Sequence, residues 1–182
     1  MNIYLVRHGE AAALWGQAAD PGLSELGRQQ AAEAARSLLP ELPADIQLIS
    51  SPMLRAQQTA EPLAQSLGLS LTIEPAFREI PSTVPLAKRK EWLKQVMRES
   101  WSEQSPLVHQ WRSELLRALQ ELSSPAVVFT HFLVINAIVA SLQNSDKVLH
   151  FWPDNASVTQ LKLVKGELSI YQLGPELDTP VN

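Results

Sequence analysis

The run Ile3-Tyr4-Leu5-Val6-Arg7-His8-Gly9-Glu10 decides how the rest of the chain is read. Residues 2–6 have the length and apolar character of a buried strand, and the strand stops in a polar turn where the backbone bends at Gly9. A strand ending this way delivers its last side chains to the carboxyl edge of a sheet, where open α/β sheets bind ligands. Here it delivers Arg7, a fixed cation that can grip an oxyanion, and His8, an imidazole that can attack such a group or move its protons. A surface arginine beside an ordinary histidine would be written the same way. Later segments of the chain separate the two.

Residues 24–39 are expected to form a helix capped by Ser24, with Leu26, Ala31, Ala34, Ala35 and Leu38 on its inner face and Pro40 ending it. Asp45–Ile49 is a second strand. Ser50-Ser51-Pro52 opens a second helix with Ser51 at the cap, Gly68 stops it, and Pro62 inside it predicts a kink or a break. Leu69–Ile73 alternates as a third strand. Residues 85–122 carry helical patterning interrupted near Ser105-Pro106. Ala126–Thr130 is a fourth strand, followed by His131 and an apolar helix to about Leu142. Ser157–Val164 and Leu168–Leu173 read as a hairpin around Lys165-Gly166, with an irregular tail after Gly174. Strands alternating with helices give an α/β fold: one three-layer α/β/α domain over 1–182, its sheet mostly parallel with helices on both faces, carrying a small helical cap at about 80–122.

The totals narrow the function. A chain of 182 residues with 45% hydrophobic and 19% charged residues is that of a globular domain, not a disordered one. The absence of cysteine excludes disulfides and thiolate chemistry. No apolar stretch is long enough to span a bilayer, and charge arrives too early for a signal peptide, so a cytoplasmic protein without a membrane partner is expected. A net charge of −4 leaves no footprint for nucleic acid. Any anion site must be built from a few converging cations. His8, His109, His131 and His150 show no metal-ligand spacing, so neither metal nor cofactor is expected.

Three strand-to-helix junctions carry functional groups: Arg7-His8, Ser50-Ser51 with Arg55, and Thr130-His131. In a parallel sheet such junctions share one edge. Two arginines, two histidines and a helix terminus around one point describe a site for a tetrahedral oxyanion, phosphate above all.

Together these segments resemble the histidine phosphatase superfamily, which includes the phosphoglycerate mutases. The resemblance is carried by Leu5–Glu10, Leu23–Ala31, Ser50–Ala60, Phe77-Arg78-Glu79-Ile80, Val128–His131 and Asn155–Val158, in the family's order. It implies a phosphatase in which His8 is the nucleophile, Arg7 and Arg55 hold the phosphoryl oxygens, and a protonated His131 completes the clamp. Glu79 would protonate the leaving alcohol and then activate water, for which its pKa must be raised. The arginines would supply the charge that a metal supplies elsewhere. Glu10, Trp15 and Phe132 are further candidates for touching substrate, and Glu10 could equally pair with a cation. Asn155 and Ser157 are candidates for supporting the site or only for a turn.

The chain departs from the family's pattern in the loop Glu79–Pro85, which lacks a glycine-tryptophan segment, and in Phe132-Leu133, where relatives commonly have glycines. The space between Glu79 and His131 suits two helices and not the larger cap of a mutase, and no second cationic cluster is compelling, so hydrolysis is expected over transfer. The basic run Lys88-Arg89-Lys90 with Lys94 and Arg98 reads as a solvated face or as a rim that attracts anions. Trp92, Trp101 and Trp111 read mostly as packing residues, and Trp152 as either packing or contact. The substrate would be a phosphorylated small molecule or a phosphoprotein, including one carrying phosphohistidine. A phospho-ligand-binding protein with little catalysis is the reading from another class. Oligomeric state is not legible.

Overall fold

The structure, a computed structural model, describes residues 1–13 and 17–177. Six strands form one sheet: β1 (Asn2–Arg7), β2 (Gln47–Ser50), β3 (Leu71–Ile73), β4 (Ala126–Thr130), β5 (Val158–Val164) and β6 (Glu167–Gln172), in the order β3-β2-β4-β1-β5-β6. The pairs β3–β2, β2–β4 and β4–β1 are parallel, and β5 joins β1 and β6 antiparallel. The helices are α1 (Glu25–Leu38), α2 (Leu54–Leu67), α3 (Arg89–Val96), α4 (Pro106–Gln120) and α5 (Phe132–Leu142). This is the expected α/β fold. No helix of the described residues is long and apolar enough to cross a membrane.

Alternation along β1 builds the three layers. Ile3 and Leu5 join one core with α4 and α5, whereas Tyr4 and Val6 join a second core with α1 and α2. α5 is buried at every position from Phe132 to Ala140, which is why its sequence is apolar all round. The chain leaves β1 through α1 on one face and leaves β4 through α5 on the other. The adjacent β1 and β4 therefore flank a switch point, where such sheets open a crevice.

Local details differ from expectation for identifiable reasons. Leu26 is 49% exposed, because the buried stripe of α1 runs through Gly27, Ala31, Ala34, Ala35 and Leu38, and residue 26 lies about a quarter-turn away from it. α2 begins at Leu54 and not at Pro52; its cap, Met53, makes no side-chain capping bond. Pro62 does not split α2, which continues to Leu67; packing of Leu63 and its neighbours against α1 outweighs one lost backbone bond. Gly68 ends it in the left-handed region (φ 65°), and the Leu69 N–H folds back on the Ala64 carbonyl at 3.1 Å, so β3 starts only at Leu71. Lys165 and Gly166, both at positive φ, make the tight turn between β5 and β6.

Register brings the functional junctions together. Arg7 lies opposite Thr130, and Ser50 opposite Phe129, so His8, Ser51 and His131 emerge side by side at the carboxyl edge.

Candidate active site

The loop after β1 is pressed against α1 backbone to backbone. A Cβ on Gly9 would come within 2.5 Å of the Gly27 carbonyl oxygen, and one on Gly27 within 2.1 Å of that of Glu10. Gly9 has no positive φ, so close approach, and not the turn expected from the sequence, demands glycine there. Thr59, one turn beyond Arg55 in α2, accepts the Gly9 N–H at 3.0 Å and donates to the Arg55 carbonyl at 2.7 Å. It ties the β1 turn to the helix that carries Arg55.

The protonation of His8 is set by its partners. Nδ1 lies 2.7 Å from the Gly9 carbonyl, which only accepts, and Nε2 receives the Arg55 Nε–H at 3.1 Å, a group that only donates. The hydrogen therefore sits on Nδ1 and the lone pair on Nε2. Burial first, then the charges of Arg55 and Arg7, push the His8 pKa well below its ordinary value and keep the ring neutral.

His131 is fully buried, its ring centroid 5.3 Å from that of His8. Its Nε2 shares a 2.7 Å hydrogen bond with Ser51 Oγ, which also accepts the Met53 N–H at 3.3 Å; among the described residues its Nδ1 has no partner. Burial and the nearby cations hold its pKa well below the ordinary range, so without an anion His131 is neutral, not protonated. A phosphate dianion beside it would oppose that shift, and the Ser51 hydroxyl can donate to one form and accept from the other.

Arg7 is buried with its guanidinium over Phe132, the guanidinium carbon 5.0 Å from the ring centroid and one N–H given to the Pro153 carbonyl at 2.8 Å. Its Nε has no partner. Burial lowers its pKa to about 10, which leaves it charged at neutral pH. The segment before β5 holds it by backbone: the Ser157 carbonyl accepts the Arg7 N–H at 3.1 Å, and the Ala156 N–H reaches the His8 carbonyl at 3.4 Å. The Asn155 and Ser157 side chains make no bond to these residues, and Ser157 Oγ is itself buried without a partner.

Glu79 is anchored by the Ile80 N–H on Oε1 at 3.0 Å and by the Leu133 N–H, from the first turn of α5, on Oε2 at 3.4 Å. Those bonds and the charges of Arg55 and Arg89 favour the carboxylate, but burial outweighs them and its pKa is raised. The Leu133 N–H at the start of α5 is thus committed to Glu79. The start of α2 is likewise occupied: the Leu54 N–H donates to Asp20 Oδ1 at 2.9 Å, and Asp20 lies 3.9 Å from Arg55.

A cavity of about 500 Å³ opens above His8, Arg55 and Glu79. Asp20, Arg78 and Arg89 also line it, with Met53, Leu86 and Leu93 among its apolar walls. Glu10 is not there; its carboxylate accepts the Ser24 hydroxyl at 2.6 Å at the start of α1, because Gly9 and Gly27 bring that end of α1 against the loop. Phe132 lies beneath Arg7 and is 1% exposed, so it backs the arginine and does not wall the cavity. Trp15 lies outside the described residues. The sequence marks Ser51 as part of a functional junction and as a helix cap without naming His131 as its partner, and it assigns no part in the site to the side chains of Thr59 and Asp20. The spacing Arg55-Thr59, one helical turn, is a usable signal for Thr59; nothing local marks Asp20.

The model of the histidine phosphatase superfamily (branch 1) matches residues 3–174. Among curated proteins, the chain is 32% identical over 111 residues to the probable phosphoglycerate mutase GpmB of Yersinia pestis, covering 53% of this chain and 50% of that protein. It matches the Yersinia pseudotuberculosis protein of that name equally, and so spans about half the length of these curated relatives. Among solved structures, mycobacterial glucosyl-3-phosphoglycerate phosphatase superposes with a TM-score of 0.72 at 24% identity, over 96% of this chain and 99% of that one. Phosphoserine phosphatase from Entamoeba histolytica, solved with 3-phosphoglyceric acid, gives 0.74 at 21% identity, over 96% of each chain. At these identities the structural likeness is one of fold.

Proposed function

Because the chain belongs to the histidine phosphatase superfamily, we propose that it is a metal-independent phosphomonoesterase working through a phosphohistidine on His8. The observation that carries this reading is the bonding of His8, whose only partners leave the lone pair on Nε2, next to a cation and at the base of the cavity. In the first step Nε2 attacks phosphorus while the bond to the leaving oxygen breaks and the Glu79 proton passes to that oxygen. In the second, water attacks phosphorus, Glu79 takes its proton, and the N–P bonding pair returns to Nε2. Arg55 and Arg7 stabilise the phosphoryl charge, and a phosphate gives partners to two buried nitrogens beside His8 that have none among the described residues, Arg7 Nε and His131 Nδ1.

Raised protonation of Glu79 by burial suits the first step. The cavity volume falls within the range of small-molecule sites, which favours a phosphorylated small molecule over a phosphoprotein. The same space admits water beside His8, which favours hydrolysis over transfer to a second position on the substrate. The named relatives include both phosphatases and probable mutases.

The test is hydrolysis of p-nitrophenyl phosphate in excess EDTA by the wild type and His8→Ala. Turnover resistant to EDTA and reduced on the order of 10⁶-fold in the variant is expected; retention of most activity would overturn the mechanism. Phosphorus NMR of a hydroxyl-bearing monoester separates the two outcomes of the intermediate. Inorganic phosphate should accumulate without a positional isomer.

A further inference from the structure

The two groups that hold the His8 ring trace back to one hydroxyl. Nδ1 bonds the Gly9 carbonyl at 2.7 Å, and Nε2 receives the Arg55 Nε–H at 3.1 Å. Thr59 Oγ1 accepts the Gly9 N–H at 3.0 Å and donates to the Arg55 carbonyl at 2.7 Å. These bonds close a ring that runs from His8 Nδ1 through Gly9, Thr59 and Arg55 back to His8 Nε2.

A threonine in a helix often returns its hydroxyl to the carbonyl four residues earlier, and that bond alone would be ordinary. Here the hydroxyl hydrogen is committed to Arg55, so the oxygen meets Gly9 only as an acceptor. Gly9 is buried and Thr59 fully so, which makes the Gly9 N–H dependent on this one partner. The turn needs such an anchor, because Gly9 has no side chain to stiffen it. Gly27 blocks its movement toward α1, where a Cβ would come within 2.5 Å of the Gly27 carbonyl oxygen. The peptide after Gly9 is held through the Glu10 N–H, on Gln30 Oε1 at 2.8 Å, and the peptide before it is held by Thr59. Of these two anchors, Thr59 is the one that also bonds Arg55. Arg55 is the second residue of α2, whose cap Met53 makes no side-chain bond, so the Thr59 hydroxyl reinforces a first turn that lacks that support.

Resting on the reading of His8 as nucleophile, we propose that Thr59 is a positioning residue for the nucleophile. Its hydroxyl holds the Gly9 turn and Arg55 at the separation that keeps the hydrogen on Nδ1 and the lone pair on Nε2. Thr59 does not line the cavity, and it acts through Gly9 and Arg55 without touching substrate. Without the hydroxyl, turn and helix are free to part, and the tautomer with hydrogen on the attacking nitrogen becomes populated.

The test replaces Thr59 by Val, which keeps the shape and removes the hydroxyl, and by Ser, which keeps the hydroxyl. With p-nitrophenyl phosphate, kcat of Thr59→Val should fall about 10–100-fold with KM within about threefold, and Thr59→Ser should stay within about threefold of the wild type. Ring-nitrogen NMR of the isotopically labelled, ligand-free proteins identifies the His8 signals by their loss in His8→Ala. It should place the hydrogen on Nδ1 in the wild type and Thr59→Ser, and show a tautomer mixture in Thr59→Val. Leu63→Val, one turn further along α2 in the core, controls for loosening of the helix. It should lower the unfolding midpoint and leave kcat and the His8 signals intact. Should Thr59→Val not fold, Thr59→Ala is read in its place. Unchanged kcat or unchanged His8 signals without the hydroxyl overturn the inference. So do a loss confined to KM, a Thr59→Ser as slow as Thr59→Val, and an equal loss in Leu63→Val. Absence of turnover in the wild type fails the phosphatase reading instead, whereas the NMR reports the tautomer without any turnover.

Discussion

The floor and the rim of the cavity are built in opposite ways. The floor consists of strand ends and first helical turns: His8 lines the cavity, and Arg7, Ser51 and His131 are buried around it, with Arg7 held by the Pro153 carbonyl, Ser51 and His131 by each other, and His8 by Arg55 of α2. The rim consists of loops and the start of α3, where Arg78 is exposed and Arg89 half-buried. A floor fixed by sheet register can position charge to a fraction of an ångström, which phosphoryl transfer requires. A rim carried on loops can vary without disturbing that geometry. Chemistry should therefore reside in the floor and substrate choice in the rim.

Substitutions test this division, in order of expected effect. Glu79→Gln removes the proposed proton donor and should slow an alkyl phosphate by up to about 10⁴-fold, but p-nitrophenyl phosphate far less, since its leaving group needs no proton. An equal loss on both substrates would remove Glu79 from the acid role. If Arg55 holds the phosphoryl group as proposed, Arg55→Ala, which also removes the donor on His8 Nε2, should lower kcat/KM for every monoester about 10²–10³-fold. Ser51→Ala leaves His131 without its hydroxyl partner; a loss of about tenfold in kcat, with KM little changed, is expected from a group acting through another side chain. Leu86→Ala on the rim should change the ranking of substrates and leave p-nitrophenyl phosphate turnover within about threefold, as for a wall residue that touches no reacting atom. If it slowed all substrates alike, the separation of floor from rim would fail.

Protons give a subtler check. His8 and His131 have folded pKa values below the ordinary 6.5 or so, so the unfolded chain binds more protons as pH falls past that value. Their contribution to stability is present above about pH 6.5 and is lost as pH drops toward the folded values. The unfolding midpoint of the ligand-free protein should decline over that range. Vanadate or phosphate should blunt the decline by taking up a proton on His131, and calorimetry in buffers of different ionisation enthalpy would register that uptake. Binding without proton uptake would remove the charged form of His131 from the clamp.

Much of the floor is legible in the sequence because the residues that build it also build the fold. β4 and α5 are readable to the residue from an apolar run broken by Thr130-His131. Arg7-His8 announces itself at the end of β1, and only the pairing of strands is needed to set it beside His131. Glu10 and Phe132 escape correct placement for one reason. Each sits within two residues of a site histidine in sequence, but the side chain of one turns toward Ser24 and that of the other under Arg7, and nearness along the chain does not encode direction. Ser51 reads as a helix cap because Ser-Pro has that local preference, whereas a buried imidazole from another strand claims its hydroxyl. Arg89 is visible as basic but not as the member of its run that faces the cavity, since that depends on how α3 packs against Ile80.

The proposed passage of phosphate through Nε2 of His8 is the step on which the account depends. Rapid quench of the wild type with a radiolabelled monoester should trap label on the protein in a form stable to alkali and lost in acid, mapped to His8 and absent from His8→Ala. Label that persists in His8→Ala, or that maps to another residue, would contradict the account.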